Sequence, residues 1–452
     1  MIMMKPLTNL AKLPERFFSS VAAIGLAAVL LGLPSVRAQS GRPAEHWVGI
    51  WATAVVSSQE IPAVPRLLRQ PAPSPQAGAQ RPQPQPPLQV VHDQTLRQIV
   101  HTTLGGSRFR VVFTNAFGTA PLTIGPAQIA LRAKEAAIVP NSSRPLTFGG
   151  QRSTAIPAGA VTFSEPVDLT AAPFADLAID MYVPGDTTGS PLTMHTGAFQ
   201  TNYVSEAGDH TGMTEVPVAR TVSSWYFLAR VEAVAPASVG AVVTFGDSIT
   251  DGTASTPNAN HRWPDDLARR LTSGTRSGMA VLNLGIAGNR LLSDGRGISA
   301  LARFDRDVAA QTSVTHVVVL EGFNDIGFAG DDPTPTAADL IGAHRQLIAR
   351  ARARGLKILG ATLTPFEGAA YQTTVGETKR EELNKWIRTS GAYDGVIDFD
   401  AAVRDPNQPT KALAAYDPGD HLHFTDVGYQ KMADTVDLNF FKLNRVKPAA
   451  SR

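Results

Sequence analysis

The chain has no cysteine among its 452 residues. That absence removes disulfide frameworks, thiolate metal centres and cysteine nucleophiles together. An excess of one charge is also lacking. Lys and Arg number 41 against 39 Asp and Glu, a net charge of +2, so no broad basic face for nucleic acid or for an anionic membrane surface is expected. Beyond Leu33 no segment approaches the roughly 20 apolar residues that a membrane-spanning helix needs. The apolar content of 43% nevertheless suffices for real cores, and the length predicts two domains.

The N-terminus has its own signature. Lys5, Lys12 and Arg16 precede an apolar run from Val21 to Leu33, Pro34 breaks it, and Val36-Arg37-Ala38 has the small-x-small form of a cleavage site. Residues 1–38 read as a secretory signal peptide cut near Ala38, which predicts a secreted or periplasmic protein with no stable membrane insertion after cleavage. A retained membrane anchor is the alternative. Between 61 and 88 prolines crowd a Gln- and Ala-rich stretch with few large apolar side chains. Such a composition cannot bury enough surface to order itself, so it reads as a disordered loop, with a Pro-rich partner-binding segment as the alternative.

Residues 39–232 otherwise carry short β segments between turn residues. Trp47–Val56, Arg108–Phe113, Leu122–Ile124, Leu177–Val183 and Trp225–Leu228 are examples, several of them alternating apolar with polar. They predict a β-sandwich of jelly-roll type. From 233 to 452 the pattern switches to apolar runs alternating with helical stretches. Strands are expected at Ala241–Phe245, Ala280–Leu284, His316–Leu320, Lys357–Ala361 and Val396–Phe399, and helices near 262–273, 298–311, 336–354, 378–390 and 425–441. Strand-helix alternation implies an α/β domain whose parallel sheet is covered on both faces, with ligands beyond the C-terminal strand ends.

Each unusual polar cluster of this half follows a strand. Gly246-Asp247-Ser248 lifts a hydroxyl off the first strand. Asn283-Leu284-Gly285-Ile286-Ala287-Gly288-Asn289 follows the second, Glu321-Gly322-Phe323-Asn324-Asp325 the third, and Asp420-His421-Leu422-His423 lies near the C-terminus. Taken singly, each is an ordinary turn. Taken together, they supply the parts of acyl transfer. Ser248 is the expected nucleophile, His423 the general base and acid, and Asp420 the group that orients the imidazole. The N–H groups of Ser248 and Gly288 and the amide of Asn324 form the expected oxyanion hole.

At these residues the chain resembles the GDSL-like, or SGNH, family of serine esterases. Gly246-Asp247-Ser248, Gly288, Gly322-Phe323-Asn324-Asp325 and Asp420-His421-Leu422-His423 match its four blocks in order. Ile249-Thr250 stands where the family name has leucine, and Phe424 follows the histidine where proline is common. The resemblance implies a three-layer α/β/α, flavodoxin-like hydrolase domain and a Ser-His-Asp triad without metal or other cofactor. A β domain ahead of such a hydrolase is similar in layout to some carbohydrate esterases. The expectation is therefore an exported serine esterase for a small-molecule or carbohydrate ester, with a short acyl group such as acetyl. The alternatives are a lipase or aryl esterase of the same family and a carbohydrate-binding surface protein with an inactive hydrolase domain. A metal held by His421 and His423 with Asp417 or Asp420, and a carboxylate pair of Glu321 and Asp325, are alternative readings of the same clusters. Trp263, Arg290 and Phe323 stand beside the motifs as pocket walls or as ordinary packing.

Overall fold

In the computed structural model residues 45–59, 87–273 and 278–442 are described. The expected signal segment 1–38 and nearly all of the Pro-rich stretch 61–88 lie outside them. Alternation builds the first half. In the strand Gly106–Thr114, Phe109, Val111 and Phe113 are buried while Arg108 and Arg110 turn outward. This strand lies between Leu228–Val234 and Val161–Phe163, and Trp47–Ala52 pairs with the far side of Leu228–Val234. A second antiparallel sheet runs in the order Val218–Val222, Asn202–Ala207, His92–His101, Asp176–Asp186, Ala127–Lys134 and Ala137–Ile138. Its register sets Arg97 opposite Asp180, and the two buried side chains make paired hydrogen bonds of 2.7 Å. Both sheets give their apolar faces to one core. The expected strand Trp47–Val56 is broken. Trp47–Ala52 stays in the first sheet, while Val56–Ser57 joins a small third sheet with Thr193–His195 and Trp225–Tyr226.

From Ala241 the strands are parallel and buried on both faces. Their order is Ala280–Gly285, Ala241–Gly246, Val314–Leu320, Lys357–Ala361 and Gly395–Ile397. The first strand in sequence thus has the second on one side and the third on the other. The chain winds in opposite directions from it, and Ser248 stands just past its C-terminal end, where such sheets bind ligands. Helices Trp263–Thr272, Ala337–Ala353, Thr374–Thr389 and Asp426–Thr435 connect these strands or follow them. Threonine caps three of them: Thr336, Thr373 and Thr425 each accept an N–H of the first turn.

Three expected elements are shorter than predicted. The strand Val396–Phe399 stops at Ile397, because Asp398 accepts the Ala401 N–H and starts the helix Phe399–Val403. The helix 298–311 is α-helical only over Ala300–Phe304 and widens into a π turn over Asp305–Ala309. The helix 425–441 ends at Thr435 and resumes as a 3-10 turn at Leu438–Phe441.

The two halves are joined closely. Gly49 donates to Thr312 O at 3.2 Å, and a Cβ there would stand 3.1 Å from Leu282. Thr103 Oγ1 donates to Ile50 O at 2.9 Å and accepts from Val281 N at 3.1 Å. One buried apolar cluster spans both, and the described residues form one compact unit. Among the described residues no helix is long and apolar enough to cross a membrane.

Candidate active site

Ser248 opens a one-turn helix, Ser248–Asp251, directly after the central strand. Asp247 caps that turn by accepting the Ile249 N–H at 3.0 Å. Gly252 closes it at φ 100, a value that favours glycine. The turn fits tightly onto the neighbouring strand end. A Cβ on Gly285 would stand 2.3 Å from Asp251 N.

His423 comes from the loop before the helix Asp426–Thr435. Its Nε2 is 2.8 Å from Ser248 Oγ, and its Nδ1 is 2.5 Å from Asp420 Oδ2. A carboxylate oxygen accepts, so Nδ1 carries the proton and Nε2 offers its lone pair to the serine hydroxyl. Asp420 Oδ1 accepts from Leu422 N at 3.1 Å and His423 N at 3.0 Å. Burial alone would raise the Asp420 carboxyl. The hydrogen bond and charge of His423, with the two N–H groups, outweigh it and hold the carboxyl down to about 2. It is therefore ionised wherever His423 can act as a base.

The other predicted residues converge on the same strand ends. The turn after the second strand is tied to the serine's own element: Ile286 N donates to Gly246 O at 3.0 Å and Ala287 N to Asp251 Oδ2 at 3.1 Å. Gly288 follows at φ 79, and its N–H donates to no described residue. Arg296 crosses this glycine, since a Cβ there would meet the Arg296 Cδ at 2.5 Å. Asn324 is buried at the start of Phe323–Ala329. Its Nδ2 donates to Asn289 O at 2.9 Å and lies 3.5 Å from Asp247 Oδ2, too long for more than a weak bond. The second and third clusters thus meet beside Ser248, with one amide proton of Asn324 weakly engaged.

Carboxylates fill the layer beneath. Asp325 accepts Leu291 N at 2.6 Å and Leu292 N at 2.9 Å, which fixes the Gly288 loop from its far side. Glu321 is fully buried against Arg303 at 3.2 Å. Arg303 also donates to Asn289 Oδ1, Leu284 O and Gly246 O, so it pins the ends of two strands. Burial first, then the charge of Asp247, keeps Glu321 well above the usual carboxylate range. Burial pushes Asp247 up to about 7, against the pull of the Ile249 N–H and of His423. With Asp325 spent on backbone and Glu321 on Arg303, the two do not form a free catalytic pair.

His421 does not join the triad. It sits at φ 60, half exposed, with Nδ1 2.5 Å from Asp417 Oδ2 and its ring against Gly368. The two histidines thus serve different aspartates. Among the described residues no group of three or more His, Asp or Glu is arranged to hold a metal ion. Trp263 and Phe323 are core residues, stacked edge-on to Phe399 and Phe366. Arg290 lies over the Phe328 ring at 4.8 Å, and Tyr371 packs on the same ring and on Gly327. Burial, then the charges of Asp247 and Asp420, keeps the Tyr371 phenol well above its ordinary value.

Four residues of this assembly were not singled out from sequence: Asp251, Asn289, Arg303 and His195. Asn289 belongs to a motif that was read, next to Gly288, and Asp251 lies three residues after Ser248. Arg303 lies in a stretch expected to be helical. His195 lies in the β-rich half, and nothing local to it points to the serine.

Residues 244–431 match the family model described as the GDSL-like Lipase/Acylhydrolase family. Solved structures similar to the chain include a GDSL-like lipase from Bacteroides thetaiotaomicron, 21% identical over 43% of this chain and 84% of its own, with a TM-score of 0.34. The aryl esterase of M. smegmatis is 17% identical over 43% and 95%, with a TM-score of 0.35. A carbohydrate acetylesterase family member from Sinorhizobium meliloti is 18% identical over 43% and 94%, also with a TM-score of 0.35. No curated protein matches the chain.

Proposed function

We propose that this chain, in which residues 244–431 form a GDSL-like lipase/acylhydrolase domain and so a carboxylic ester hydrolase, cleaves its ester in two steps through an acyl-enzyme on Ser248. The unbroken hydrogen-bonded line from Asp420 through His423 to Ser248 carries this reading. Ser248 Oγ attacks the ester carbonyl while His423 Nε2 takes its proton. Negative charge develops on the carbonyl oxygen, where the N–H groups of Ser248 and Gly288 and the weakly engaged amide proton of Asn324 receive it. One such donor contributes about 3–4 kcal/mol to the barrier. The tetrahedral intermediate collapses, and His423 returns the proton to the leaving alcohol. Water then attacks the acyl group with His423 again as base, and the acid departs. Asp420 keeps the imidazole in the tautomer that both steps need.

The finer reading is an exported enzyme for short acyl groups, acetyl on carbohydrate above all. The N-terminal basic and apolar segment supports export, with cleavage near Ala38. In this reading the C-terminal half is a three-layer α/β/α fold and the β-rich half a jelly-roll-like sandwich. Ser248→Ala is expected to lower kcat for a short p-nitrophenyl ester by at least about 10⁴-fold with an unchanged far-UV spectrum and melting temperature. Retained activity would remove Ser248 from the reaction. A panel of acetylated sugars, aryl esters and longer acyl esters tests the substrate class, with the highest kcat/KM expected on acetylated sugars.

A further inference from the structure

The β-rich half reaches the catalytic half at one buried ionic contact. His195 ends the strand Thr193–His195 and is 3% exposed. Its Nδ1 is 2.7 Å from Ala54 O, and its Nε2 is 3.1 Å from Asp251 Oδ1. Each ring nitrogen thus faces an oxygen acceptor, an arrangement in which the imidazolium form donates to both. The other Asp251 oxygen accepts the Ala287 N–H at 3.1 Å. Ala287 immediately precedes Gly288. A continuous line therefore runs from the Ala54 carbonyl through His195 and Asp251 to the peptide next to the expected oxyanion donor.

We infer that His195 is a positioning residue for ester hydrolysis: it holds Asp251 so that Asp251 in turn holds the Ile286–Asn289 turn, and with it the Gly288 N–H, against the Ser248 helix. The inference rests on the esterase reading above. Asp251 belongs to the Ser248 helix and also bonds the Gly288 turn, so any freedom in its carboxylate changes the distance between nucleophile and oxyanion donor. His195 removes that freedom. Trp225 lies beside the imidazole at 5.6 Å between ring centres, and Gly197 passes so near Asp251 that a Cβ would stand 3.2 Å from its Oδ2. A cavity of about 20 Å³ adjoins the pair and is lined also by His101, Arg262 and Asp265. It has room for about one water, too little to replace the imidazole as a donor network. Burial would lower the His195 pKa, but the charge and hydrogen bond of Asp251, with the Ala54 carbonyl, raise it above the ordinary histidine value. A buried ion pair contributes little net stability compared with apolar packing, whereas it fixes geometry where one atom must be held.

The test uses the full chain with His195→Ala and His195→Gln, read by steady-state hydrolysis of a p-nitrophenyl ester across pH and by amide hydrogen exchange. His195→Ala should lower kcat by up to about 100-fold with little change in KM, because misplacement of a catalytic donor acts on the transition state. Exchange at Ala287 should accelerate in the same variant. His195→Gln keeps a neutral donor toward Asp251 and should recover most of kcat. Wild-type kcat and wild-type exchange at Ala287 in His195→Ala would overturn the inference. If His195→Ala does not fold, His195→Asn, too short to reach Ala54 O and Asp251 together, decides it: wild-type kcat and wild-type exchange at Ala287 would overturn it. Failure of the wild type to hydrolyse any ester would sink the esterase reading separately, and exchange at Ala287 would still decide whether His195 positions the turn.

Discussion

A serine hydroxyl, an imidazole and a carboxylate mean little apart, and their meaning here comes from which atom faces which. His423 turns Nδ1 to Asp420 and Nε2 to Ser248, so its tautomer is set by its neighbours. Asp247, one residue before Ser248, is a different case. Its folded-state value of about 7 lies above the starting 3.8, so the stability tied to its proton is full below about 3.8 and is lost as pH rises through about 7. Asp247→Asn keeps an oxygen to cap Ile249 but cannot ionise. Its melting temperature should exceed that of the wild type by more near about pH 8 than near about pH 5. Equal differences at the two pH values, by calorimetry, would contradict the burial argument. The meeting of Ser248, Asp420, His423 and Asn324 was legible in sequence because each is a polar residue in a turn or loop of the strand-helix half. His195 was not, because it meets Asp251 across 56 residues and sits in an antiparallel strand of ordinary appearance.

At the scale of elements, strand ends carry the site. Gly246 and Gly285 end the two adjacent strands, and a Cβ on either would run into backbone: Leu320 O at 2.6 Å for the first, Asp251 N at 2.3 Å for the second. The Ser248 helix can sit on the sheet only because both are glycine. Gly285→Ala should therefore push that helix off the strand end, lowering stability by about 1–3 kcal/mol or more and kcat with it. Denaturant unfolding and ester hydrolysis measure the two effects, and an unchanged kcat would show that the helix has slack. The parallel strands and their helices followed from alternating apolar and helical runs, whereas the strand order and the caps Thr336, Thr373 and Thr425 came only with the fold. The short helix Phe323–Ala329 was hidden by its glycines. Gly322 at φ 114 looks like a turn, and Gly327 is needed because the Tyr371 ring would lie 2.2 Å from a Cβ. The π turn at Asp305–Ala309 likewise leaves no mark in composition.

At the scale of the whole molecule, the composition switch near 233 separates two halves that the fold does not keep apart. Thr103 bonds Val281, Gly49 lies on Leu282, Ser313 bonds Trp47 O at 2.7 Å, and His195 reaches the nucleophile's helix. Periodicity identifies each strand but not its distant partner, so this joining was not legible from the residues. One consequence is that Ser248 belongs to the full chain rather than to a detachable module. The most direct test labels that chain with a fluorophosphonate, whose phosphorus an activated serine attacks with loss of fluoride, and reads the product by intact mass and peptide mapping. The account predicts one label per chain, on Ser248, and none in His423→Ala. A label on another residue, or full labelling of Ser248 without His423, would contradict it.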